Sequence, residues 1–168
     1  MNKRVTFKWT STVTSRADVR LYLVQGGQLL AGASLVAGDR QALDAWITSA
    51  KFKGKAGTVA WPQTVAGVLL AGIGPRNEFH AARWLRTWAA IGRALIKAAP
   101  TRIAAFEWPT HASFPMELAE LAGLAAEGLA QGTYSFDCYR EEKQSGTIVL
   151  EWLGKDVGAK PVRAAVRR

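Results

Sequence analysis

The sequence predicts an α/β domain. Short apolar runs alternate with amphipathic stretches at helical spacing, and the runs are punctuated by glycine and proline. The length of 168 residues, with 49% hydrophobic and 21% charged side chains, fits one domain able to bury its own core. The first strand is expected at Val19 to Val24, broken by Gly26-Gly27, where the backbone needs residues free to take positive φ. A second extended run follows from Leu29 to Val36. Asp39 is the expected N-cap of a helix through Ala50, with Leu43, Trp46, Ile47 and Ala50 on one face. Lys51, Lys53 and Lys55, interleaved with Phe52 and Gly54, form a polar loop. Thr58 to Trp61 and Ala66 to Ile73 then read as two strands joined through Pro62, the second apolar enough to be central.

The strongest helical signal runs from about Glu78 to Ala99, with Asn77 as its N-cap and Pro100 as its stop. Stepping ~100° per residue places Ala81, Trp84, Leu85, Trp88, Ile91 and Leu95 in one broad arc. Arg76, Arg83, Arg86, Arg93 and Lys97 fall in a narrower opposing arc, provided the helical phase extends back to Arg76. A strand from Arg102 to Trp108 follows, closed by Pro109. Ser113 and Pro115 open another helix through about Gln131, with Leu118, Leu121, Ala122, Ala125 and Leu129 buried and Gly132 as its C-cap. The last strand is Thr147 to Leu153. The organisation expected is a basic segment at 1–16, one α/β domain at 17–153 and a basic tail at 154–168, with no internal repeat.

The net charge of +9 raises nucleic acid as a partner, but the excess is concentrated at the ends. Residues 1–16 carry four basic side chains and no acid, and 154–168 carry five against Asp156. The remaining 137 residues balance 13 basic against 12 acidic groups. The one cysteine, Cys138, excludes a disulfide scaffold and a paired-cysteine zinc site, and it fits a reducing, cytoplasmic setting. The longest apolar stretch, Val65 to Ile73, is far short of the roughly 20 residues that span a bilayer, so no membrane role is expected.

Catalytic constellations are thin. His80 and His111 have no carboxylate or cysteine at a recognisable spacing, and a solvated or capping role suits them better. Glu117 and Glu120 sit one turn apart, yet with Glu127 they form the wet side of an amphipathic helix. No catalytic residue, metal ligand or cofactor is assigned. The turn Gly72-Ile73-Gly74-Pro75-Arg76-Asn77, leading from strand to helix, could hold an anion on its backbone amides at Gly72, Gly74 and Asn77. Its spacing matches neither phosphate-loop fingerprint, so a tight structural turn is the simpler reading. Six of the seven tryptophans fall on apolar helix faces or strands, and Trp9 stands apart among basic residues.

Three motifs in order carry a resemblance. The run Phe52-Lys53-Gly54-Lys55-Ala56-Gly57, the strand end Val68 to Gly74 and the stretch Ala125-Ala126-Glu127-Gly128-Leu129 through Gly132 to Arg140 resemble the N-terminal domain of the leucyl (cytosol) aminopeptidase family. That family shows a GK-x-G loop, a GLG strand end and an AEG segment followed by spaced aromatics, in the same order with similar gaps. The resemblance covers about Asp18 to Leu153. It implies a three-layer α/β/α sandwich with a mixed sheet, similar to a macro domain.

The family's two metal ions, their ligands and the NTDAEGRL signature belong to a separate C-terminal domain, and none of those motifs occurs here. The resemblance therefore implies a non-catalytic binding or assembly module, which homology alone would still label an aminopeptidase. Its expected partners are nucleic acid, another copy of itself or a full-length aminopeptidase. The basic stripe Arg76, Arg83, Arg86, Arg93 and Lys97 is the candidate contact surface. Two alternatives stand beside it: a macro-domain-like site for a nucleotide or ADP-ribose near Gly72 to Asn77, and a remnant without activity.

Overall fold

The computed structural model describes residues 4–10, 17–30, 35–98, 103–109, 114–134, 147–154 and 156–167. Among these, seven strands form one sheet: β1 (Arg4–Thr10), β2 (Val19–Gln25), β3 (Gln28–Leu30), β4 (Val59–Ala60), β5 (Val68–Gly72), β6 (Ile103–Glu107) and β7 (Thr147–Leu153). Four helices accompany it: α1 (Ala37–Ser49), α2 (Ala81–Lys97), α3 (Leu118–Thr133) and α4 (Lys160–Val166). The order across the sheet is β1-β7-β6-β2-β5-β4, with β3 paired to β2. All neighbours in the order are parallel except β4, which runs antiparallel to β5 at the edge. The sheet is therefore mixed, as expected.

Alternation along the strands sorts the side chains into two cores. Leu21, Leu23, Leu69 and Ala71 face α2 and α3, whereas Tyr22, Val24, Val68 and Leu70 face Leu43 and Ile47 of α1. Both faces of β2 and β5 are thus buried, which is why these strands read as continuous apolar runs. On the α2 side, Trp84, Trp88, Phe106 and Trp152 are fully buried and Trp108 nearly so. Trp84 Nε1 donates to the carbonyl of Leu121 at 2.8 Å. Trp108 meets Trp152 edge to face, with centroids 5.1 Å apart, a favoured aromatic geometry.

Several boundaries differ from expectation for identifiable reasons. The Leu29 to Val36 run supplies only β3. Gly26 and Gly27, at φ +59° and +83°, turn the chain so that β3 pairs back on the end of β2 in a two-residue hairpin. Leu35 leaves the sheet to pack with α1. Asp39 is not a cap: α1 begins at Ala37, and the Asp39 carboxylate instead pairs with Arg20 at 3.0 Å.

The expected helix start at Asn77 and Glu78 is a separate 3-10 turn, Arg76–Glu78, and α2 begins at Ala81 after His80. Phe79 is extended between the two, its ring packed on Trp84 and Phe114 with centroids 5.6 and 5.4 Å away, which takes the chain off the helical path. Gly132 is not a C-cap, because α3 continues to Thr133. The opening residue Ser113 lies outside the described residues, and α3 begins at Leu118.

Two elements occupy the segments read as basic ends. β1 pairs in parallel with β7 over its whole length, placing Phe7 against Trp152 at 4.9 Å. Lys8 reaches the buried carboxylate of Glu151 at 2.9 Å. α4 packs on α3, and the Arg163 guanidinium lies 5.4 Å from the centre of the Trp9 ring, which gives that tryptophan its place.

Candidate functional site

The loop after α1 crosses the C-terminal ends of β2 and β5, and glycine makes the crossing feasible. A side chain on Gly72 would begin 2.3 Å from the Gly54 backbone, and one on Gly54 would begin 2.5 Å from the Val24 carbonyl oxygen. Backbone bonds close the junction. Gly74 N–H donates to Gly54 O at 2.8 Å, Gly72 N–H to Thr58 O at 2.8 Å and Ile73 N–H to Val24 O at 3.1 Å. The Gly72 and Gly74 amides, two of the three that the sequence offered as an anion cradle, are thus bonded within the chain.

Thr87, fully buried on α2, fastens this loop to the helix. Its hydroxyl accepts the Gly57 N–H at 3.1 Å and lies 2.9 Å from the Gly72 carbonyl oxygen. The stem of Arg86 covers Gly57, with Cγ and Cδ about 3.0 Å from where a side chain there would begin. Arg83 lies beside Gly74 and pairs with Glu78 of the 3-10 turn. The glycine turn and the arginine stripe, which share Arg76 in sequence, therefore also meet at Arg83. Lys51, Lys53 and Lys55 are exposed on the same loop, and neither residues 51–58 nor α2 contain an acid. The result is a basic face running from the lysine loop along α2.

The stripe itself divides. Arg83 and Arg86 border the loop, while Arg93 and Lys97 continue further along α2. Ala90 lies inside the same arc but is buried, because β4 packs there. Between β4 and the second half of α2 runs a cleft of about 420 Å³ bordered by Val59, Trp61, Arg93 and Lys97. Arg76 and Asn77 are exposed in the 3-10 turn and are not part of the α2 surface. The lysine loop is visible in the sequence, but only as a polar connection. Thr87 and Trp61 carry no signal that could attach them to the basic face, since both join it through tertiary contact.

Other candidates stay apart. His80 is exposed ahead of α2 and makes no side-chain cap bond. Glu117 and Glu120 lie at the start of α3, both exposed. His111 and Cys138 lie outside the described residues. Among the described residues, no group of three or more His, Cys, Asp or Glu is placed to hold a metal ion, and no helix is long and apolar enough to cross a membrane. Among the described residues, Tyr22, on the α1 side of the sheet, has a shifted acidity. Burial raises its pKa above the ordinary value, the charges of Glu107 and Asp39 add to this, and Arg20 opposes it.

A mixed sheet between helical layers, with its strand ends sealed by a glycine junction, defines an α/β domain of macro-like architecture. The family model for the cytosol aminopeptidase family, N-terminal domain, matches residues 20–143, and the chain belongs to that family. A bottromycin maturation enzyme, BotP, is 27% identical, with a TM-score of 0.56 over 90% of this chain and 29% of its own. A mutant of tomato leucine aminopeptidase is 16% identical, with a TM-score of 0.72 over 99% of this chain and 35% of its own. A mutant macrodomain from Oceanobacillus iheyensis is 10% identical, with a TM-score of 0.69 over 99% of this chain and 92% of its own. The last two likenesses are of fold alone. The chain spans about a third or less of the two enzymes' lengths, in keeping with a match to the N-terminal domain. A search of curated proteins finds no match.

Proposed function

We propose that this chain is a non-catalytic binding module of the aminopeptidase family that contacts nucleic-acid phosphates with the basic face of α2 and the adjoining lysine loop. The observation that carries the reading is the junction at Thr87 and Arg86, which holds an acid-free loop of three lysines against an acid-free helix. Phosphate contacts of this kind need clustered cations on a fixed surface, and they position a duplex without reading its sequence. A second feature favours a polar partner. Among the described residues, the exposed large hydrophobic side chains are Val36 and Tyr134, too few to make an apolar docking patch. The single cysteine and the family's cytosolic character support a cytoplasmic setting.

The test is fluorescence anisotropy of a labelled duplex titrated with the full chain between about 50 and 200 mM salt. Binding should weaken steeply with salt. Replacing Arg83, Arg86 and Arg93 together by Ala should lower the slope of log affinity against log salt by about 0.9 for each phosphate that is no longer neutralised. Negligible affinity at low salt, or an unchanged slope in the triple variant, would overturn the reading and leave assembly with another copy or with a full-length aminopeptidase as the better one.

The macrodomain likeness favours a second reading, a nucleotide or ADP-ribose-like ligand near Gly72 to Asn77. The internal bonding of the Gly72, Ile73 and Gly74 amides places it behind the first. A thermal-shift panel of such ligands would separate them, since a ligand at 100 times its Kd adds about 2.7 kcal/mol.

A further inference from the structure

We infer that the cleft between β4 and the second half of α2 is a small-molecule site for a phosphate monoester carried on a flat ring. It shares Arg93 and Lys97 with the polyanion reading above but stands or falls on Trp61. Its volume, about 420 Å³, lies in the range of ligand pockets, roughly 300–1,000 Å³. Small side chains keep it open: Ala90 and Ala94 lie on the same face of α2 as the two cations, and β4 is only two residues long. Trp61, half-buried at the end of β4, supplies an aromatic wall.

The charges point the same way. Arg93 and Lys97 stand one turn apart on one helix face, where like charges repel. Neither has an ion-pair partner among the described residues, and both border the cleft. A dianionic phosphate between them relieves that repulsion, with the guanidinium giving a forked contact and the ammonium a point charge. A ring attached to that phosphate meets Trp61 and gains stacking that inorganic phosphate lacks. The cleft runs along the flank of α2 and meets the strand-end junction at Gly57, whose N–H donates to Gly72 O at 3.1 Å.

Isothermal titration of the full chain with phenyl phosphate and adenosine 5′-monophosphate, against inorganic phosphate and adenosine, tests this. Both aromatic monoesters should bind with Kd below about 1 mM, and each half alone at least tenfold more weakly. Trp61→Leu should weaken the aromatic monoesters tenfold while leaving inorganic phosphate unchanged. The surface double variant Arg93→Gln with Lys97→Gln should abolish binding, and it guards against a folding defect in Trp61→Leu. If a short single strand binds with Trp61 dependence and the monomers do not, the small-molecule site is overturned and the ring belongs to an unpaired nucleotide. Equal binding of inorganic and aromatic phosphate, or no Trp61-dependent binding by any probe, overturns it as well. Duplex binding is read separately in a variant with Arg83 and Arg86 replaced by Ala and the cleft residues Arg93 and Lys97 kept, so either inference can fail alone.

Discussion

Lys51 sits where a glycine would be expected. It follows the last turn of α1 with φ at +52°, the left-handed region that costs an L-residue about 1–2 kcal/mol. Two bonds hold it there: Phe52 N–H donates to Ile47 O at 2.9 Å and Lys51 N–H to Thr48 O at 3.2 Å, the pattern of a Schellman helix end. Lys51→Gly should therefore stabilise the fold by up to about 1 kcal/mol, the relieved strain being partly offset by the freedom glycine gains when unfolded. Urea unfolding of the two proteins would show it as a higher midpoint at unchanged slope. Tyr22 makes a prediction in pH. Its folded-state pKa is raised, mainly by burial, so the stability linked to its proton is fully present below about pH 10 and is lost as pH rises through the folded value. Melting temperatures of the protein and of Tyr22→Phe should diverge above about pH 10, the wild type falling faster.

At the scale of elements, helix packing explains Gly132, which the sequence reads as a C-cap, together with Gly128 and Gly92. Side chains on Gly128 and Gly132 of α3 would begin 2.6 Å from Leu85 O and 2.1 Å from Ala89 O, and one on Gly92 of α2 would begin 3.0 Å from Leu129 O. The two backbones approach too closely for any larger residue. Gly132→Ala should destabilise by about 2 kcal/mol despite a helix-propensity gain of about 1 kcal/mol. Gly123→Ala, in the same helix but with its nearest neighbour at 3.4 Å, should be neutral or stabilising. Opposite signs in parallel chemical denaturation would establish close approach as the cause. The strands were legible because burial on both faces writes itself as unbroken apolar runs, and β7 matches its expected span of Thr147 to Leu153. Helix starts were not, because Phe79 and Arg20 act on them through partners distant in the chain.

Across the whole molecule, the motifs that pointed to the family are places where the fold is joined rather than where chemistry is done. Gly54, Gly72 and Gly74 lock the loop to the strand ends, and Gly128 and Gly132 seat α3 on α2. The family and the layered architecture were readable because these contacts demand glycine at fixed intervals. The basic face was half readable. Periodicity supplied the arginines of α2, but the attachment of the lysine loop depends on Thr87 and on Gly57 accepting the Arg86 stem. The ends were the least legible part, since a short basic strand such as Arg4–Thr10 acquires its meaning only when Phe7 and Trp9 find Trp152 and Arg163.

That last pairing sets an order of events during synthesis. Arg4 lies opposite Thr147, and Thr10 opposite Leu153, so β1 is synthesised well ahead of its sheet partner. Until that partner emerges, Phe7 and Trp9 have no sheet to join, whereas β2, β5 and β6 can already assemble around α2. Closing a loop of that span is a late, entropically costly step. β1 therefore stays unpaired while the centre forms, and Arg4 and Lys8 help that waiting strand stay in solution.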